Sequence, residues 1–138
     1  MTAEQTKHLE LIQQVVDRMG RNSFQLKGWA ITLVAALFVL ATSAAGTPWS
    51  AAVAFLPALV FWGLDAYYLR QERLFRALYD EVRSHPENVE PFSMDTRPFC
   101  RQVANWFGVA FSRTIWPLYG AVVVATALVV WLLWCGEF

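Results

Sequence analysis

The chain has 138 residues, of which 57% are hydrophobic and 16% charged, with 11 basic residues against 11 acidic ones. A soluble domain carries about 25% charged residues, so this composition excludes an ordinary soluble globule, and the even balance offers no general basic excess for nucleic acid or anionic lipid as the main ligand. The apolar residues are also gathered into blocks: residues 28–64 run 37 positions without Asp, Glu, Lys or Arg, and residues 114–136 another 23. At about 20 residues per crossing, the first block accommodates a hairpin of two helices and the second a single helix. The expected fold is an all-α integral membrane protein with three transmembrane helices, which leaves no room for a large soluble catalytic domain.

From Ala3 to Met19, Leu9, Ile12, Val16 and Met19 recur at helical spacing, widened by Leu11 and Val15, with charged and amide side chains on the other face. This pattern predicts an N-terminal amphipathic helix in a first region, 1–24. Gly20, Asn22 and Ser23 offer a stop before the next helix, or a partial break that leaves one long bent helix. The first crossing starts near Leu26 and fades into small residues ahead of a turn at Gly46, Thr47 and Pro48. The second runs from about Trp49 to Leu69, with a kink expected at Pro57. Few breakers follow before Ser84, and Leu64, Tyr68, Phe75, Leu78, Tyr79 and Val82 sustain a helical stripe among charges. The second span therefore continues as a cytoplasmic stalk, and hairpin and stalk form a region over 25–83.

Residues 84–113 read as a loop containing three prolines between Ser84 and Pro98, then a short amphipathic helix with Phe99, Val103, Trp106, Phe107 and Ala110 on one side. The last region, 114–138, holds the third crossing, from about Ile115 to Trp134, and a short external tail. All eleven Lys and Arg fall before the first crossing or between the second and third. Since cytoplasmic segments retain Lys and Arg, the N-terminus is expected inside and the C-terminus outside the bacterial inner membrane. Trp29, Tyr67 and Tyr68 would then mark the inner interface, and Trp49 and Trp134 the outer one.

Asp65 lies within the second apolar block, where a lone carboxylate is costly. It requires a partner, and Lys27 at the same expected depth is the leading one, with Arg70 and Arg73 as others. A clamp fixing the hairpin or its oligomer is favoured over a proton path, because ion pathways need several polar groups. Small residues four apart, Ala41 with Ala45, Ala54 with Ala58 and Ala121 with Ala125, permit close helix approach. No catalytic residues, cofactor or metal site are expected. His8 and His85 read as solvated surface residues, and Cys100 and Cys135, without CxxC spacing, as packing residues.

The run from His8 to Gln13, Asn22-Ser23-Phe24 with Leu26-Lys27-Gly28-Trp29, and Phe61-Trp62-Gly63-Leu64-Asp65-Ala66-Tyr67-Tyr68-Leu69 with Glu72-Arg73 resemble a family of small bacterial multi-span membrane proteins, over about residues 8–83. Some of these are encoded beside phage-defence genes, and the family has no established catalytic motif to carry over. The resemblance implies an accessory or effector role and makes Asn22, Lys27, Asp65, Tyr68, Arg70, Glu72 and Arg73 signature polar positions at the foot of the hairpin. The function expected first is a non-enzymatic oligomeric effector that perturbs the membrane or forms a pore on a signal from a cytosolic defence protein. The alternative is a passive anchor that recruits such a protein through the stalk and the Ser84–Pro98 loop. The expected partners are the bilayer, further copies of the chain and that protein, without nucleic acid.

Overall fold

The structure, a computed structural model, describes residues 2–43 and 48–136. The described residues form five α-helices in order: α1 (Ala3–Thr42), α2 (Pro48–Ala52), α3 (Phe55–Ser84), α4 (Trp106–Ala110) and α5 (Trp116–Gly136), with single 3-10 turns at Pro86–Asn88 and Arg97–Phe99. Among the described residues there is no strand. The expected turn at Gly46–Pro48 lies largely outside the described residues, as do the last two residues of the external tail.

The start of α1 is fixed by a reciprocal cap: the Gln5 amide N–H donates to Thr2 Oγ1 (3.1 Å), and the Thr2 N–H to Gln5 Oε1 (3.0 Å). The stop expected at Gly20 to Ser23 does not occur, and α1 is one helix. The reason is visible in its buried stripe. Leu9, Ile12, Val16, Ser23, Leu26, Ala30, Val34 and Ala41 keep to one face on both sides of Gly20. A single glycine costs about 1 kcal/mol relative to alanine, which this continuous burial outweighs.

The segment expected to form the middle crossing also differs from the single span kinked at Pro57. The break falls earlier, at Val53 and Ala54, where the Ala54 N–H bonds the Ala51 carbonyl (3.0 Å) and the Leu56 N–H that of Val53 (3.1 Å). Proline has no N–H, and its ring clashes with the carbonyl four residues back, here Val53. Starting the helix at Phe55 leaves Pro57 in the first turn, where its missing donor disrupts nothing. From there α3 is uninterrupted to Ser84, as the lack of breakers predicts.

The amphipathic helix expected from Phe99 to Ala110 shrinks to the single α4, whose start is capped by the Gly108 N–H donating to Asn105 Oδ1 (2.9 Å). Phe99 instead turns inward and is buried, while Trp106 and Phe107 stay exposed.

The chain divides into two compact units, one of residues 1–23 and 66–109, the other of residues 24–65 and 110–138. In the first, Leu9, Ile12 and Val16 of α1 pack against Leu74, Leu78 and Val82 of α3, with Phe99 in the same core. The apolar stripes of the N-terminal helix and of α3 are thus packed against each other within one chain. In the second unit, Val34 of α1 meets Ala54 and Ala58, with Leu37, Phe38, Val122 and Val123 around them. Here α2 lies on α5, and Trp49 meets Trp134 edge to face at 6.1 Å. Of the small-residue pairs, Ala54 and Ala58 make the expected close approach and Ala41 is buried. Ala45 lies outside the described residues, and Ala121 and Ala125 face outward.

The surfaces of the two units contrast sharply. Eighteen of the twenty-two charged residues belong to the first, hereafter the polar unit. Among the described residues, nineteen of the twenty-four large hydrophobic side chains left exposed belong to the second, the apolar unit. Among the described residues two helices, α1 and α5, are long and apolar enough to cross a bilayer, and only 22% and 11% of their most apolar windows are buried. The core helix of a soluble protein would be mostly covered, so this exposed apolar surface is compatible with insertion into lipid.

Candidate functional site

The buried charge of the apolar unit lies on α3. Asp65 is completely shielded from solvent, one residue before the chain passes into the polar unit. Its carboxylate meets Lys27 Nζ of α1 at 2.5 Å, so the partner expected from sequence is the one found. α5 contributes Tyr119, also fully buried, whose phenol faces the Asp65 carboxylate. Three helices therefore converge on one carboxylate.

Aromatic packing holds this point together. The Trp62 indole N–H donates to the Ala110 carbonyl at 2.8 Å. The Trp62 ring stacks nearly parallel to Tyr119, with centroids 6.1 Å apart and planes 10° from parallel, and meets Phe111 edge-on at 5.6 Å. Ile115 is buried alongside in the same unit, and the Ser112 hydroxyl is buried as well. Trp62 is one helical turn before Asp65 on α3, and Tyr119 lies in the first turn of α5. Both helices thus present a polar-tipped aromatic or a carboxylate at the same level.

This arrangement neutralises charge and joins helices. An ammonium against a carboxylate removes most of the cost of placing either one away from water, whereas loss of one partner would leave an uncompensated buried ion. Among the described residues of the unit no further charged side chain is buried, and Arg113 is exposed. The buried Thr126 hydroxyl, two turns along α5, bonds to the Val122 carbonyl of its own helix at 2.8 Å. Among the described residues no three His, Cys, Asp or Glu side chains could hold a metal ion.

The other signature positions do not join this cluster, because they belong to the polar unit. Tyr68 is half-buried and meets Tyr67 edge-on at 5.6 Å. Arg70 donates from Nε to the Ala104 carbonyl at 3.3 Å. Glu72 accepts two hydrogen bonds from the Arg76 guanidinium, at 3.0 and 2.8 Å. Arg73 is half-buried and makes no ion pair among the described residues. Asn22 is half-buried on α1.

Sequence reasoning misplaced three residues and missed two. His8, read as solvated, is only 4% exposed. Its Nε2 pairs with the Ser93 carbonyl at 2.7 Å, and its ring lies 5.9 Å from Phe92, which adopts φ of +60°. The interaction spans 85 residues and has no local signature. Cys100 and Cys135, read as packing residues, are both free and exposed: Phe99 rather than Cys100 takes the core position, and Cys135 lies in the last turn of α5. Tyr119 and Trp62 were missed as parts of the Asp65 site, although a lone tyrosine one turn into an otherwise apolar helix was the available signal. In the polar loop, Arg97 binds the Asp95 carboxylate through its side chain (2.9 and 3.1 Å) and its backbone N–H (3.0 Å). This holds the Asp95 carboxyl below the usual carboxylate range.

These features define an all-helical protein with an ion-paired apolar unit and two helices capable of spanning a bilayer. No family model, curated protein or solved structure matches the chain.

Proposed function

We propose that the chain is a non-enzymatic membrane anchor, a three-span helical module that holds its polar helical unit at the cytoplasmic face of the bacterial inner membrane as a platform for a soluble partner. The observation that carries this reading is the opposite placement of charge and exposed apolar surface in the two units. α1 and α5 supply two crossings, and α2 with the apolar start of α3 supplies the intervening one. The Lys27–Asp65 pair clamps the crossings where they reach the cytoplasm, and α3 runs on as the stalk. The anchor is preferred over the pore-forming effector on two grounds: the amphipathic stripes are consumed inside one chain, and Asp65 is neutralised by Lys27 instead of opening onto a polar path. On the resemblance, the soluble partner would be a cytosolic protein of a defence system.

The two native cysteines test the topology directly. Cys100 belongs to the polar unit and Cys135 to the end of α5, and both are exposed. In bacterial spheroplasts, a membrane-impermeant maleimide is expected to label Cys135 of the Cys100→Ser variant and to reach Cys100 of the Cys135→Ser variant only after permeabilisation. Labelling of both from outside, or recovery of the chain in the carbonate-soluble fraction, would overturn the reading. A potential-sensitive dye is expected to report no depolarisation on expression, and a sustained depolarisation would return the effector to first place.

A further inference from the structure

Within the polar unit α1 and α3 run antiparallel, so the unit has two distinct ends. At one end the chain leaves the unit three times, after Ser23, before Ala66 and after Val109. At the other lie the start of α1, the end of α3 and the loop pinned by His8. Residues 17–23, 66–76 and 103–109 of the first end hold five basic side chains against two acidic ones, whereas residues 2–16 and 77–102, of which Gln102 lines a cavity with Leu78, Glu81 and Asp95, hold four against seven. The zero net charge therefore conceals a strong separation along the unit.

Pairing follows the same division. At the acidic end three of the four basic side chains have a carboxylate: Lys7 with Glu10 (3.5 Å), Arg83 with Asp80 (3.6 Å) and Arg97 with Asp95 (2.9 Å). At the basic end Arg76 engages Glu72, while Arg18, Arg21, Arg70 and Arg73 make no ion pair among the described residues. Arg18 and Arg21 share one face of α1, Arg70 and Arg73 one face of α3, and Tyr67, Trp106 and Phe107 stand exposed at the same end. Guanidinium groups without carboxylates bind phosphate oxygens in a fork geometry, and aromatic rings beside them suit the headgroup layer.

We infer that this basic end is a binding surface for anionic phospholipid headgroups. The inference rests on the anchor reading given above, because the three chain exits lead into the helices assigned to the bilayer. The surface supplies charge-selective contact to the cytoplasmic leaflet, while the acidic end is left to the solvent and to a soluble partner.

The test uses the full-length chain released from micelles holding equal phosphatidylglycerol and phosphatidylcholine, with retained lipid counted by native mass spectrometry. With about fivefold attraction per basic side chain near an anionic surface, phosphatidylglycerol is expected to be retained at least about fivefold over phosphatidylcholine. The Arg18→Gln/Arg21→Gln/Arg73→Gln variant should bring the ratio within about twofold. Arg83→Gln/Arg97→Gln at the other end should leave the ratio unchanged, and unaltered circular dichroism melting would confirm that each variant folds. Equal retention of both lipids by the native chain, or a preference that survives the triple substitution, would overturn the inference. So would arginine-dependent binding of a single-stranded oligonucleotide without lipid selectivity. Carbonate-resistant membrane association together with any of these negative results would leave the anchor reading standing, whereas its absence would remove both.

Discussion

The polar and apolar units share two helices, α1 and α3, but the apolar unit, besides burying Leu26, Val34 and Ile115, adds small residues and a charge to its interior. In the polar unit the branched side chains of Leu9, Ile12, Val16, Leu74, Leu78 and Val82 are inside and the charges outside. In the apolar unit Ala30, Ala41, Ala54, Ala58 and the Asp65 carboxylate are inside, and Trp29, Leu40, Leu56, Leu128 and Trp131 outside. Water drives bulky apolar groups together because their exposure is costly. Lipid gives leucine no such incentive, so association depends on small residues that allow close approach and on polar pairs that need each other. The change of interior along single helices is therefore what two different solvents would select.

The sharpest way to break the comparison is to remove one half of the buried ion pair. Asp65→Ala or Lys27→Met alone is expected to cost about 3–5 kcal/mol, read from thermal or denaturant unfolding of the solubilised protein. The double variant Lys27→Met/Asp65→Leu should recover most of that loss, since it leaves no orphan charge. Arg83→Ala, at an exposed pair of the polar unit, should cost less than about 1 kcal/mol. Equal effects at the two sites would mean that Asp65 is solvated and that the units do not differ in environment.

Truncation of apolar side chains sharpens the same contrast. Leu78→Ala in the polar core is expected to lose about 2–5 kcal/mol through lost burial and the cavity left behind. Leu128→Ala on the outer face of α5 should change stability by less than about 0.5 kcal/mol, because lipid replaces the lost contacts. A loss at Leu128 as large as that at Leu78 would show that a protein surface covers α5.

Trp62→Phe tests how the apolar unit holds the first turn of α5. It removes the indole donor while keeping a ring against Tyr119, and about 0.5–1.5 kcal/mol is expected for one hydrogen bond. An unchanged melting profile would place the contribution in ring packing and not in the bond to Ala110.

Much of this architecture is legible from local pattern. The stripes on α1 and α3, the continuity of α3 and the apolar α5 follow from spacing alone, and the Lys27–Asp65 pair follows from matching depth in an antiparallel hairpin. What escaped needed information from elsewhere in the chain. Gly20 looked like a stop because local propensity disfavours glycine, but Ser23 and Leu26 keep the buried face of Val16 and hold the helix straight through it. Phe99 was placed on a helix face, although its partners Leu74 and Leu78 lie more than twenty positions earlier. His8 looked like a solvated end group until residues 92 and 93 folded back over it. The break at Val53 was displaced from Pro57 because proline disrupts the carbonyl four residues behind it, not its own position.

The smallest expected effect concerns the loop of the polar unit and its response to acid. Asp95 has its carboxyl lowered by the Arg97 side chain first and by the Arg97 backbone N–H second. A carboxyl depressed in the folded state favours that state at pH values above its ordinary titration range, and the contribution disappears as the pH falls through the lowered folded value. Acidification should therefore release Arg97 and lower the protection of its amide, measured relative to the intrinsic exchange rate at each pH, while leaving protection in α1 near Ile12 unchanged. Asp95→Asn should show the released behaviour at neutral pH, because the amide keeps an acceptor but loses the charge. Since the pair is exposed, the change should stay confined to this loop. Loosening of the Leu9, Leu78 and Phe99 core under the same conditions would instead mean that the loop seals the polar unit.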